Sequence, residues 1–171
     1  GFMYIRNDKK INSFIHGGAQ ERNMRGGTEN VYGIIGLAKA LEIAYRDMDE
    51  HREYIQRLKS RMISKLREQV PGVTFHGDSA NPDRSLYTVL NVSLPESDEN
   101  EMLLFNLDLK GISASGGSAC SSGATTGSHV LAALYPGSKR GAVRFSFSKY
   151  NTAEEIDFTV SKLAELFRVT V

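Results

Sequence analysis

A long run of apolar residues at helical spacing constrains the fold of this chain more than any other feature. Between residues 29 and 70, apolar side chains recur at steps of three and four, as in Val31, Ile34, Ala38, Leu41, Tyr45, Met48, Ile55, Leu58, Met62 and Leu66. This period predicts an amphipathic helix, which Pro71 and Gly72 end. One helix of about 40 residues would be about 60 Å long. We therefore expect a helix that bridges two domains, or a break around residues 47–51.

Shorter elements are predicted on both sides of this helix. A strand hairpin (2–5 and 11–15) and a glycine-rich ordered loop (16–27) precede it. Strands and helices alternate after it, with a capping box at Thr152 to Glu155 opening the last helix. The predicted order is strand 73–76, strand 87–94, helix 98–109, strand 111–114, helix 129–134 and strand 142–148. This order predicts an α+β unit, with helices packed on a small, mostly antiparallel sheet.

Composition excludes several classes of function. The chain has 171 residues, 40% of them hydrophobic and 24% charged, as in one soluble globular domain. Because 21 basic and 20 acidic residues nearly cancel, we expect no nucleic acid or membrane partner. We expect a cytoplasmic location, since there is no apolar run of membrane-spanning length and no signal segment. One cysteine and four scattered histidines predict neither a disulfide nor a metal site.

Cys120 is the first candidate functional residue. Eleven of the fourteen residues from Ser115 to Ser128 are Ser, Gly or Thr, so we expect residues 115–127 to form a mobile loop. Structural cysteines are usually small core hydrophobes, whereas this one has no apolar neighbours. An accessible thiol on a mobile loop can act as a nucleophile that moves between two partners. The alternative is an incidental surface cysteine.

Arg144 and Thr28 are the other two candidates. Alternation in residues 142–148 places Arg144 opposite the apolar face of a strand, where its guanidinium could bind a carboxylate, although a solvated surface arginine is the alternative. Gly26, Gly27 and Thr28 precede the long helix, where free backbone N–H groups and a hydroxyl favour a phosphate. The alternative is that Thr28 is only the helix N-cap. No nucleotide-binding glycine motif is present.

Four further residues are weaker candidates. His129 could act as a base for Cys120, but we expect it in the first turn of a helix that Ser128 caps. His76 ends a strand and is expected to be a core or turn residue. Lys139 and Arg140 are predicted to form a solvated turn.

Several segments together resemble the NifS-like and IscS-like cysteine desulfurases. Residues 17–31, GGAQERNMRGGTENV, are similar to the family segment GGGQERGxRxGTENV. Residues 113–123, SASGGSACSSG, resemble the family's catalytic loop SxSxGSACxSG, and SHVL at 128–131 and VRFS at 143–146 follow in the family's order. The glycine-serine form of the loop is similar to that of the group with a longer, mobile loop.

The resemblance implies a fold-type-I pyridoxal-phosphate enzyme that takes sulfur from L-cysteine and releases L-alanine. Cys120 would accept the sulfur as a persulfide and pass it to an acceptor protein. Arg144 would bind the substrate carboxylate. Thr28 would reach the phosphate of the cofactor in the partner subunit of a homodimer.

The sequence departs from the family in one important respect. The family's cofactor-binding lysine lies in an SxHK motif that none of the nine lysines matches, and it would fall upstream of Gly1. We therefore expect a partial enzyme, inactive alone. Its expected parts are a remnant of the large cofactor-binding domain (1–28), the bridging helix (29–70) and a C-terminal small domain (71–171). Ala19 and Gly117 are smaller departures.

Two alternatives from other classes remain open. A related pyridoxal-phosphate enzyme, such as a selenocysteine lyase or a class V aminotransferase, would share Arg144 but would not need a cysteine in a flexible loop. A non-catalytic dimerisation or interaction domain would use the long helix as its surface and leave Cys120 without a role.

Overall fold

The periodic segment forms two α-helices. The computed structural model describes residues 1–117 and 128–167, and the chain divides into two compact units, residues 1–48 and 49–171. Helix α1 (Val31–Arg46) ends at Asp47, whose backbone is not helical (φ −104°, ψ 9°), and α2 (Met48–Gln69) follows. Of the two alternatives, the break near residue 47 is therefore observed. The division into domains at residues 28 and 70 stays a prediction.

Helix α1 exposes its apolar side chains. None of its residues is buried in the structure, although it carries large apolar residues on more than one side. Those most exposed are Tyr32, Ile35, Tyr45, Val31, Ile34 and Leu41. An apolar surface of this kind is usual where a further part of a protein packs.

A three-stranded antiparallel sheet forms the centre of the second unit. Its strands are β1 (Thr74–Phe75), β2 (Val89–Glu96) and β3 (Arg140–Ser146), in the order β1-β2-β3. Side chains alternate between the two faces of each strand, and one face is apolar. Leu90, Val92, Leu94 and Val143 on that face are 0% exposed. The opposite face carries the polar residues of β2 and β3.

Helices cover the apolar face of the sheet. Buried side chains of α2, the short helix α3 (Leu103–Leu109) and α5 (Ala153–Leu166) join those of the strands in one core cluster. A 3₁₀ helix (Asp98–Met102) leads into α3, and α4 (His129–Leu134) carries no buried residue. Each fully buried Leu of this core contributes about 2 kcal/mol. The predicted α+β class with a small antiparallel sheet is confirmed.

Two helix starts match the sequence prediction. The Ser128 hydroxyl accepts a hydrogen bond from the Leu131 N–H at 3.3 Å and caps α4. Thr152 and Glu155 form the predicted capping box at the start of α5. None of the helices in the described residues is long and apolar enough to cross a membrane.

Three predicted strands are wrong. Residues 2–5 and 11–15 form no strand. Most of their apolar side chains are exposed, and a two-stranded hairpin without a well-covered apolar face is only marginally stable. Residues 111–114 also lack strand structure. The neighbouring Ser115 instead makes a single bridge to Arg144, so the contact with β3 is one residue long.

The expectation of a solvated turn at Arg140 is also wrong. Arg140 is the first residue of β3 and is only half-exposed. Its Nε donates to the Ser93 hydroxyl at 2.7 Å, and Nη2 donates to the carbonyl oxygens of Gly72 at 2.7 Å and Ser93 at 3.0 Å. Nη2 also lies 3.3 Å from the Thr74 hydroxyl. One guanidinium therefore joins β3 to β2 and to the start of β1.

We expect Arg140→Met to lower the free energy of unfolding of the chain by about 2–3 kcal/mol, because it leaves several acceptors without their charged donor. The melting temperature should fall by about 5–10 °C. Urea unfolding followed by circular dichroism measures the change. Lys139→Met is the matched control, since the Lys139 side chain is exposed, and equal stability of the two variants would contradict a role for the Arg140 hydrogen bonds.

Candidate functional site

The predicted site residues are distributed over both units. Arg144 lies in the unit formed by residues 49–171, and Thr28 lies in the unit formed by residues 1–48. Cys120 belongs to residues 118–127, which lie outside the described part of the chain, as does most of the loop predicted to be mobile. The roles of all three residues stay predictions.

Strand β3 holds Arg144 between two partners. On one side Arg144 pairs with Asn91 of β2. On the other, its N–H donates to the Ser115 carbonyl oxygen at 2.6 Å and its own carbonyl oxygen accepts from the Ser115 N–H at 3.1 Å. Val143 and Phe145, which flank Arg144, are buried in the core. The backbone of Arg144 is thus fixed, and its side chain lies on the polar face of the sheet.

A small cavity of about 30 Å³ adjoins Arg144. Besides Arg144, its polar and glycine lining comes from Asn91 of β2 and from both sides of the glycine-serine loop. The loop residues that line it are Ser115, Gly116, Gly117 and Ser128. The two described ends of the segment that contains Cys120 therefore lie at the same cavity as Arg144.

The Arg144 guanidinium has no ionic partner among residues 1–117 and 128–167. No hydrogen bond or salt bridge of its side chain is formed with these residues, and the side chain is half-exposed. By contrast, Arg61 of the same unit donates to both carboxylate oxygens of Asp157, at 2.7 and 2.6 Å, which keeps the pKa of Asp157 well below its usual range. A guanidinium with free N–H groups beside a cavity can bind a carboxylate in a bidentate manner.

Sequence reasoning missed Asn91, which the structure places beside Arg144. Asn91 is half-buried and lies between the fully buried Leu90 and Val92. Its Oδ1 is 3.0 Å from Nδ1 of His76, and the His76 ring lies 5.4 Å from the Tyr135 ring. An amide between two apolar residues of a strand was the available signal, but Arg144 lies 53 residues away in sequence.

The surroundings of Thr28 differ from the sequence expectation. Asn30 is the N-cap of α1, with its Oδ1 accepting from the Gly33 N–H at 3.0 Å, so Thr28 lies two residues before the cap. The N–H of Gly26 donates to the Ile15 carbonyl oxygen at 2.8 Å and that of Gly27 to Gln20 Oε1 at 3.1 Å. These two glycine N–H groups are therefore not free to bind a phosphate. The Thr28 side chain is exposed.

His129 is exposed in the first turn of α4, as the sequence predicts, and a role as base for Cys120 stays a prediction. Within residues 1–117 and 128–167, no group of three or more His, Cys, Asp or Glu side chains is arranged to hold a metal ion.

Comparison with known proteins supports the resemblance seen in the motifs. The model of the family described as Aminotransferase class-V matches residues 4–158. The chain is 39% identical over 168 residues to the cysteine desulfurase IscS of Dictyoglomus turgidum, covering 97% of this chain and 42% of that protein. It is 40% identical over 168 residues to the cysteine desulfurase IscS of Methanosarcina thermophila, covering 97% and 40%.

Solved structures give the same result. A NifS-like protein superposes with a TM-score of 0.75 at 35% identity, covering 95% of this chain and 40% of that one. A NifS-like protein from Rickettsia africae superposes with a TM-score of 0.74 at 28% identity, covering 94% and 41%. The chain thus spans about two-fifths of the length of the relatives it matches, and the predicted likeness to NifS-like and IscS-like proteins is confirmed.

Proposed function

We propose, since the chain belongs to the aminotransferase class-V family, that it is part of a pyridoxal-phosphate-dependent cysteine desulfurase. This enzyme takes sulfur from L-cysteine as a persulfide on Cys120 and releases L-alanine. The relatives named cysteine desulfurase support the activity. The exposed apolar surface of α1 and the greater length of those relatives support an active protein that is longer than this chain.

The single observation that carries the proposal is the Arg144 guanidinium, which has no partner among residues 1–117 and 128–167, at a cavity bounded by both described ends of the Cys120 segment. An amino-acid substrate brings a carboxylate, and Arg144 offers the matching two-pronged donor. Gly117, three residues before Cys120 in the sequence, lines this cavity. In the proposal, Cys120 is the nucleophile that attacks a substrate held by Arg144.

Cys120 performs the sulfur transfer in this proposal. Its thiolate attacks the sulfur of the bound L-cysteine, so that a new S–S bond forms while the carbon–sulfur bond of the substrate breaks. The electron pair of the broken bond stays with the substrate carbon, which then takes up a proton and leaves as L-alanine. No external oxidant or reductant is needed, because the sulfur is oxidised as the carbon is reduced.

Within residues 1–117 and 128–167, Thr28 is the residue that we assign to the cofactor. The exposed Thr28 hydroxyl is suited to a phosphate oxygen, whereas the N–H groups of Gly26 and Gly27 are already used. Pyridoxal phosphate, when bound, supplies an electron sink that weakens the carbon–sulfur bond of the substrate. Thr28 would hold the phosphate of the cofactor bound by the partner subunit of a homodimer. A sulfur-acceptor protein would then remove the sulfur from Cys120.

Mass spectrometry of the full-length protein tests the proposal directly. After brief incubation with L-cysteine and alkylation, we expect the peptide that contains Cys120 to gain the mass of one sulfur atom, in proportion to the alanine formed. Incubation with L-alanine is the control and should add nothing. Alanine formation without extra sulfur on this peptide would contradict the desulfurase mechanism and favour a lyase in which Cys120 has no role.

A further inference from the structure

Asn91 and Arg144 present their side chains to the same point of the sheet. The backbone N–H and C=O of Arg144 are bonded to Ser115, and the carbonyl oxygen of Asn91 accepts from the His76 N–H at 3.0 Å. Asn91 and Arg144 are therefore a pair without mutual backbone hydrogen bonds, the type in which facing side chains are closest. The Cβ atoms in such a pair are about 4.5–5.5 Å apart.

His76 orients the Asn91 amide. An asparagine Oδ1 can only accept a hydrogen bond, so the 3.0 Å contact with Nδ1 of His76 makes that histidine nitrogen the donor. The ring of His76 is in turn packed against Tyr135 at 5.4 Å. With Oδ1 engaged, the two N–H groups of Nδ2 are the free part of the amide. They form no hydrogen bond with the described residues, and Asn91 lines the cavity beside Arg144.

We propose that Asn91 is a second donor for the substrate carboxylate, acting beside Arg144, and that His76 is the positioning residue which turns its amide toward the cavity. This inference rests on the proposed function, because it assigns the carboxylate of L-cysteine to the same cavity. Arg144 supplies the charge and Asn91 supplies a neutral, directional hydrogen bond. The pair gives a role to a half-buried amide that lies between the fully buried Leu90 and Val92.

The substitution Asn91→Asp tests the inference in the full-length protein. It keeps the size of the side chain but replaces the donor by a carboxylate that repels the substrate and pairs with Arg144. We expect the Kd for L-cysteine, measured by calorimetry, to rise about thirtyfold or more. The Kd for L-cysteine methyl ester, which has no carboxylate, should change by less than about threefold.

Two further variants separate positioning from loss of structure. Asn91→Ala should raise KM for L-cysteine about threefold to tenfold, with kcat nearly unchanged. His76→Phe keeps the ring packed on Tyr135 and should have a similar but smaller effect, which disappears when Asn91 is already alanine. Asn81→Asp is the control for charge, since Asn81 does not line the cavity and an Asp can still accept from the Asp83 N–H.

The outcomes distinguish this inference from the proposed function. One outcome is that the wild type forms alanine normally while Asn91→Asp loses equal affinity for L-cysteine and for its methyl ester. This outcome would overturn the role of Asn91 and leave the desulfurase proposal standing. Unchanged binding of both ligands would do the same. A wild-type protein that neither binds L-cysteine nor forms alanine would overturn both proposals.

Discussion

Replacing Cys120 with serine is expected to lower alanine production by the full-length enzyme about a thousandfold, while L-cysteine still binds. The serine hydroxyl is close in size to the thiol but is a poor nucleophile toward sulfur at neutral pH. In the proposed mechanism, substrate binding relies on other groups and precedes the attack of Cys120. An alanine assay measures turnover, and a titration of the cofactor absorbance with L-cysteine measures binding.

Control variants make the Cys120 result specific. Cys120→Ala should show the same loss of turnover, because it too removes the nucleophile, whereas Ser121→Ala, at a variable position of the same loop motif, should retain turnover within about twofold. Alanine production at the wild-type rate by Cys120→Ser would show that the thiol is dispensable. The assignment would then move to a lyase or an aminotransferase.

Local signals in the sequence predicted several elements correctly. The cap at Ser128 and the capping box at Thr152 depend on residues within three positions of each other, so no distant contact was needed to recognise them. The alternation of residues 142–148 likewise predicted which side chains of β3 enter the core, and Val143 and Phe145 are buried as expected. The alternation of side chains along a strand is a direct consequence of backbone geometry.

Features that depend on distant contacts were not predictable in the same way. The partners of Arg140 lie 47 to 68 residues away in sequence, so the pair of basic residues after a turn gave no sign of them. His76, which donates to Asn91, directly follows β1 and lies 15 residues away in sequence. The turn at residues 21–23 has three consecutive non-glycine residues with φ values of 47°, 56° and 65°. This left-handed backbone costs about 1–2 kcal/mol per residue. The residue types in the turn did not predict it.

The sequence predicted single residues of the candidate site but not the contacts between them. The motifs identified Cys120, Arg144 and Thr28 as residues whose chemistry suits sulfur transfer, carboxylate binding and phosphate binding. They did not show that Gly26 and Gly27 use their N–H groups within the protein. They also did not show Asn91, because a cross-strand neighbour is set by the register of β2 and β3, which one sequence does not specify.

The binding half of the proposed site depends on Arg144. We expect Arg144→Ala in the full-length enzyme to raise the concentration of L-cysteine needed for half-maximal binding by about a hundredfold, since a charge-assisted, bidentate hydrogen bond is lost. Arg144→Lys should recover only part of this loss, because an ammonium group cannot reproduce the planar two-pronged geometry. The titration of cofactor absorbance that is used for Cys120→Ser measures both variants.

Arg144→Ala and Cys120→Ser should show opposite defects. Arg144→Ala should lose binding while turnover at saturating L-cysteine falls much less, the reverse of the pattern expected for Cys120→Ser. Arg52→Ala, at an exposed arginine of α2, is the control for removal of one positive charge and should bind L-cysteine as the wild type does. Because the Arg144 guanidinium has no ion pair with the described residues, its removal leaves no buried partner uncompensated there. Wild-type affinity for L-cysteine in Arg144→Ala would therefore remove the carboxylate from this cavity.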